Sequence, residues 1–211
     1  MTVDPTKTAP SQIASTTTID VEPVTLRSAT LADAPALALC GAATFLEAFT
    51  WMIPGADIIA HCAKHHTVAA YEDYLRKPDT RITLALAGPG PEPAAPVGFA
   101  MLCAPELPSI ETFPTDIELK RIYLFSRFRT APVVAASNIP VTPNLRPAHA
   151  LLESAVADAR AIGRKRLLLG TKDDNQRAIA FYRRNHFTEV GTRTFQVGGQ
   201  LYSDLIFAKE L

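Results

Sequence analysis

The run DIELKRIYLFSRFR at positions 116–129 constrains this chain more than any other stretch. Ile117, Leu119, Ile122, Tyr123, Leu124 and Phe125 supply an apolar, β-prone segment that reads as a buried strand running out into a basic loop. Glu118 lies inside it. A carboxylate in an apolar strand is costly unless it is paired, solvated through a cleft or used in chemistry. Arg127 and Arg129 follow, and guanidinium groups at the end of a strand suit an anionic ligand. The stretch offers a candidate base at one end and a candidate phosphate anchor at the other.

The flanking segments fix the architecture. Val24 to Ser28 alternates apolar and polar residues, as a strand does. Thr30 with Asp33 three residues on is a loose capping box, opening an Ala/Leu-rich helix that reaches Phe49. Pro54 opens a second helix over 55–64, and Thr67 caps a third reaching Lys77. The apolar runs 81–87 and 97–103 make a hairpin around the stiff loop GPGPEPAAP, a surface excursion. The prolines of 130–143 forbid a continuous helix there. Over 145–162, Leu145, His149, Leu152, Val156, Ala159 and Ile162 share one helical face, and Gly163 ends it. A short strand at 166–170, a helix over 175–185 and two closing strands at 187–197 and 201–209 complete the chain. The expected fold is α/β in the layered α+β sense. A mixed, mostly antiparallel central sheet has helices on both faces.

The length of 211 residues suits one domain, expected over 23–211, with an inserted loop at about 130–144 and a flexible or disordered Thr/Ser/Pro-rich arm over 1–22. Lys plus Arg equals Asp plus Glu, which argues against a nucleic-acid partner. No apolar run suggests a membrane span, so no membrane partner is expected. The scattered Cys40, Cys62 and Cys103 suggest a reducing compartment, and without any address signal the expected location is cytoplasmic.

Three segments resemble the GCN5-related N-acetyltransferase (GNAT) superfamily. ELKRIYLFSRFR is similar to its fourth strand and the start of its acetyl-CoA loop. Asn175, Ala178, Phe181 and Tyr182 reproduce an N-x-x-A-x-x-F-Y helix, with Phe187 behind it. YSDLIFAKEL, from Tyr202, is similar to its last strand. TFLEAF and YEDYLRKPDT are similar to segments of small-amine and polyamine acetyltransferases. The resemblance implies acetyl-CoA as co-substrate and direct attack by a primary amine in a ternary complex. The acceptor would be a small amine or polyamine, or a peptide amine, and a homodimer is possible. It implies Glu118 as base, eleven positions before Arg129, and Tyr182 as the acid that protonates the departing thiolate. The cofactor would lie along Ile122, Tyr123, Leu124, Arg129, Thr130, Arg146, Asn175, Ala178 and Tyr182, with a backbone N–H near Tyr123 or Leu124 meeting the thioester oxygen. Phe45, Trp51 and Glu118 would face the acceptor.

The chain departs from that family in the pyrophosphate loop. The family's R/Q-x-x-G-x-G/A begins here at Arg129, but its glycine positions read Pro132 and Val134, or Arg146 if counted back from the next helix. Pro132 has no N–H to offer a phosphate. Either arginines replace the backbone cradle, the favoured reading, or the chain is a non-catalytic binding module that has lost CoA. The glycine before the closing Phe is His186, and Asn185 or His186 can take the left-handed conformation required there.

Ordinary structural roles compete with these. Glu118 can pair with Lys120 or Arg121, Tyr182 can be a core aromatic, and Asn175 can be a helix cap. His61, Cys62, His65 and His66 have no clear third ligand or HExxH glutamate, so no metal is expected, and their helix is assigned to the acceptor wall. Arg164, Lys165 and Arg166 make a solvated turn or meet the CoA 3′-phosphate.

Overall fold

Periodicity of two in seven segments and of 3.6 in five sets the architecture. The computed structural model describes residues 21–88, 94–134, 142, 144–197 and 199–211. The strands are β1 Val24–Ser28, β2 Arg81–Ala87, β3 Ala95–Cys103, β4 Asp116–Leu124, β5 Arg166–Lys172, β6 Thr188–Val197 and β7 Gln200–Glu210. The helices are α1 Ala34–Phe49, α2 Gly55–His65, α3 Val68–Arg76, α4 Pro147–Ala161 and α5 Gln176–Arg184. The strands form one sheet in the order β1-β2-β3-β4-β5-β7-β6, antiparallel at every step except β4 to β5. This is the layered, mostly antiparallel sheet expected from the sequence. The reading of the arm over 1–22 falls outside the described residues for 1–20, that of the loop over 88–96 for 89–93, and that of the insertion at about 130–144 for 135–141 and 143.

Both sheet faces are apolar, and each has its own helices. Leu26, Ala85, Ala100, Leu102, Ile117 and Leu119 pack with Leu151, Leu152 and Ala155 of α4. Ile82, Leu84, Phe99 and Met101 pack on the other face with Leu37 of α1 and Tyr71 of α3. The stretch Leu31–Phe49 is long and apolar enough to cross a membrane by length and composition, against the sequence expectation. It buries Leu37, Ala38, Cys40, Gly41, Thr44 and Phe45 within the protein, as a core helix does. The α4 helix starts two residues later than its apolar pattern suggests. Asn144 is left-handed (φ 64) and Arg146 extended, as a residue before proline tends to be. His186 takes the left-handed conformation (φ 65) that closes α5.

A register shift in β4 decides what the site contains. Met101 pairs with Arg121 but Leu102 with Leu119, so Lys120 is an extra residue in a bulge. Ile117 and Leu119 before it, and Ile122 and Leu124 after it, all contribute to the α4 face. Arg121 and Tyr123 are thereby turned to the α1–α3 face. A regular strand would have sent Arg121 to the α4 side with Leu119.

Candidate active site

β4 and β5 pair only at Asp116–Arg166, Ile117–Leu167 and Glu118–Leu168. Beyond that, β4 stays with β3 as far as Leu124, and β5 stays with β7 as far as Lys172. The two parallel neighbours therefore part, and a cleft of ≈ 530 Å³ opens between residues 119–124 and 170–172. Its walls include Phe45, His61, His65, Arg129, Asn175, Ala178 and Tyr182. Phe125 N–H is given to Val97 O across to β3 (3.0 Å). Side alternation along a strand then turns the Leu124 and Ile122 N–H groups toward the gap.

The α5 side of the cleft is set by ordinary helix chemistry. Asn175 Oδ1 accepts from Ala178 N–H at 3.1 Å, which caps the helix. One α-helical turn further, Tyr182 is 6 % exposed. Its ring packs at 5.4, 5.6 and 6.2 Å from those of Phe181, Phe187 and Phe207. Burial raises the Tyr182 phenol well above its ordinary value, and the nearby Tyr123 phenol acts in the same direction. Tyr182 is therefore protonated throughout the neutral range.

The opposite wall comes from α1 and α2. His61 stacks on Phe45 (centroids 4.3 Å, planes at 13°), and His65 lies 4.6 Å from His61. Among the described residues no three His, Cys, Asp or Glu side chains assemble as a metal site. Burial, His65 and the Arg121 cation push His61 down to about 4. Burial and the same arginine push buried His66 to about 3, and lower His65 as well. His66 Nδ1 meets Tyr71 Oη at 3.0 Å behind this wall.

These imidazoles tie stability to pH. Each binds its proton more readily unfolded, near pH 6.5, than folded. Stability should be at its full value above pH 6.5 and fall as the pH drops toward 4 and below. Between pH 7 and pH 5 the loss should be about 2 kcal/mol per fully shielded imidazole. Urea unfolding at the two pH values measures it, and an unchanged midpoint would show that the imidazoles are not buried neutral.

Glu118 requires a correction. It is 1 % exposed and is not among the residues lining the cleft. Its Oε2 accepts from Glu106 N–H at 2.7 Å, and its Oε1 lies 3.5 Å from Lys120 Nζ. A carboxylate that binds a backbone N–H and lies beside an ammonium, shielded from solvent, ties the loop after β3 to β4, and it stands outside the cleft in which the base was expected. Trp51 is 75 % exposed and does not itself line the cleft, although its neighbours Phe49 and Met52 do. Thr130 and Arg146 line a separate cavity beside the cleft and bind one another, with Arg146 Nη1 donating to Thr130 O at 2.6 Å.

The residues in the family's glycine positions have a different task. Val24 N–H donates to Pro132 O at 2.8 Å, and Val134 N–H donates to Val24 O at 2.9 Å. This segment is sewn to the edge at β1 and does not line the cleft; Pro132 and Val133 instead line the neighbouring cavity with Thr130 and Arg146. Arg129 does line the cleft. Burial and the like charge of Arg177 lower its pKa, while Glu47 opposes them. Two neighbouring guanidinium groups that repel each other favour an anion between them. Neither Arg177 nor the bulged pair Lys120–Arg121 was legible as site material, because nothing in the sequence marks which side of α5 or β4 they occupy.

No family model matches the chain. Proteins of Mycobacterium bovis and Mycobacterium tuberculosis, each described as an uncharacterized N-acetyltransferase, are 28% identical to it over 181 residues, covering 86% of this chain and 99% of theirs. The PaiA N-acetyltransferase of Thermoplasma acidophilum, crystallised with coenzyme A, superposes with a TM-score of 0.62 at 16% identity, over 89% of this chain and 99% of that one. A GCN5-related N-acetyltransferase from Rhodopseudomonas palustris gives 0.62 at 16% identity, over 92% and 99%.

Proposed function

We propose that the chain is a GCN5-related N-acetyltransferase and that it transfers the acetyl group of acetyl-CoA to a small primary amine bound beside it, a reading supported by its likeness to N-acetyltransferases in sequence and in fold. The divergence of β4 from β5 carries the reading, because it opens backbone donors to a cleft that also holds a protonated phenol, neutral imidazoles and the Arg129 guanidinium, with Arg177 near enough to Arg129 to repel it. The residues present fit coenzyme A. Arg129 and Arg177 offer charge to its phosphates, and Ala178 leaves room for the pantetheine arm beside Asn175. Acetyl-CoA supplies an acetyl group activated as a thioester.

The protein's own groups then have distinct tasks. The N–H of Leu124 meets the negative charge that develops on the thioester oxygen. His65 is neutral at pH 7 and takes the proton that the amine loses as the C–N bond forms. Tyr182 gives its proton to the sulfur as the C–S bond breaks. His65 replaces Glu118 as the base because its imidazole lines the cleft and the carboxylate does not.

Calorimetry with acetyl-CoA tests the reading. The wild-type chain should bind it, and Arg129→Ala should weaken binding about 10- to 100-fold, the loss of a charge-assisted phosphate contact. No heat from the wild type would support a module that has kept the fold and lost CoA. Equal affinity for the variant would remove Arg129 from the clamp.

A further inference from the structure

Arg121 is 8 % exposed and lines the cleft, yet no carboxylate among the described residues lies within ion-pair distance of it. Its contacts are neutral. Nη1 reaches Met101 Sδ at 3.7 Å, the Tyr123 phenol is a close electrostatic neighbour, and the Arg121 Cζ lies 5.6 Å from the ring centres of both Tyr71 and Tyr74. A buried cation lacking a counter-charge is expensive, and aromatic faces only partly offset that.

The carboxylates around the cleft are all engaged. Glu106 holds Lys120 at 2.9 Å, Asp204 holds Arg193 at 2.8 Å, and Glu47 accepts from Ser126 N–H at 2.9 Å. A polyamine needs free carboxylates, and this wall offers a free guanidinium instead. A guanidinium edge matches a planar carboxylate through two parallel hydrogen bonds.

We propose that Arg121 binds a carboxylate on the acceptor, so that the amine acetylated belongs to an amino acid rather than to a polyamine. The inference rests on the acetyltransferase reading above and specifies its acceptor. The β4 bulge at Lys120 is what turns this arginine to the acceptor side. Phosphate-bearing acceptors are disfavoured, because Lys120, the nearest second cation on β4, is already held by Glu106 and Glu118.

The test is CoA release by the full chain with acetyl-CoA and a panel of acceptors. The panel holds the common L-amino acids, β-alanine and 4-aminobutyrate, the amide of each, and spermidine. At least one free acid should be turned over with kcat/KM about 100-fold or more above its own amide and above spermidine, as expected when a buried donor loses its partner. Arg121→Met should abolish that preference, with its melting temperature showing that it is folded. Arg121→Lys, which keeps the charge without the fork, should retain a reduced preference. If acetyl-CoA binds but no acid outperforms its amide, or spermidine is preferred, the acceptor inference is overturned while the acetyltransferase reading survives. If acetyl-CoA does not bind, both fail.

Discussion

Replacing Tyr182 by Phe should lower kcat for acetyl transfer about 100-fold and leave the affinity for acetyl-CoA within about a factor of two. The ring is held by Phe181, Phe187 and Phe207, and all three contacts survive the change. Only the hydroxyl is lost. General acid catalysis contributes about 10²- to 10⁴-fold, and the lower figure corresponds to about 2.7 kcal/mol of barrier. Because burial holds the phenol in its protonated form, the wild type should keep its acid through the alkaline range. Steady-state kinetics with calorimetric binding separates the two effects. An unchanged kcat would mean that the sulfur leaves as the thiolate and that Tyr182 is a core aromatic only.

The second large effect is on stability. Gly41→Ala raises the intrinsic helix propensity of α1, but the added methyl would collide with Tyr71 Oη and stand 2.5 Å from His66 Nδ1. Tyr71 is fully buried and His66 nearly so, and the two bind each other, so neither can swing away. Overpacking of this kind costs about 1–3 kcal/mol, and breaking the buried bond adds about 1 kcal/mol more. In a chain of this size each kcal/mol lowers Tm by about 2–4 °C. Gly55→Ala at the start of α2 is the control, with nothing within 4 Å of its new methyl, and should be neutral or mildly stabilising. Equal melting temperatures for the two variants would show that Tyr71 and His66 do not form the fixed backing of the acceptor wall.

Much of this architecture was legible because local chemistry and global packing agree. The α3 helix starts where Thr67 supplies its cap, with Oγ1 accepting from Ala70 N–H at 3.1 Å. Asn175 caps α5, and the apolar stripe of α4 meets the sheet where its periodicity places it. The site was less legible, for two physical reasons. A bulge moves side chains between faces, and Lys120–Arg121 looks like any basic pair until the register shift is known. For Glu118 the sequence offered Lys120 as one possible partner, but it could not show that Glu106 N–H, twelve residues earlier, also binds the carboxylate. The arginine clamp was half visible. Arg129 follows its strand directly, whereas Arg177 joins it only through the packing of α5, and Arg146 is drawn off to Thr130.

The central claim is that coenzyme A lies in the wedge where β4 leaves β5. A crystal structure of the protein grown with coenzyme A tests it most directly. The account predicts the pantetheine arm between residues 119–124 and 170–172, the sulfur next to the Tyr182 hydroxyl and the phosphates against Arg129 and Arg177. Coenzyme A bound elsewhere, or a wedge filled by the protein's own residues when the ligand is at saturation, would contradict it.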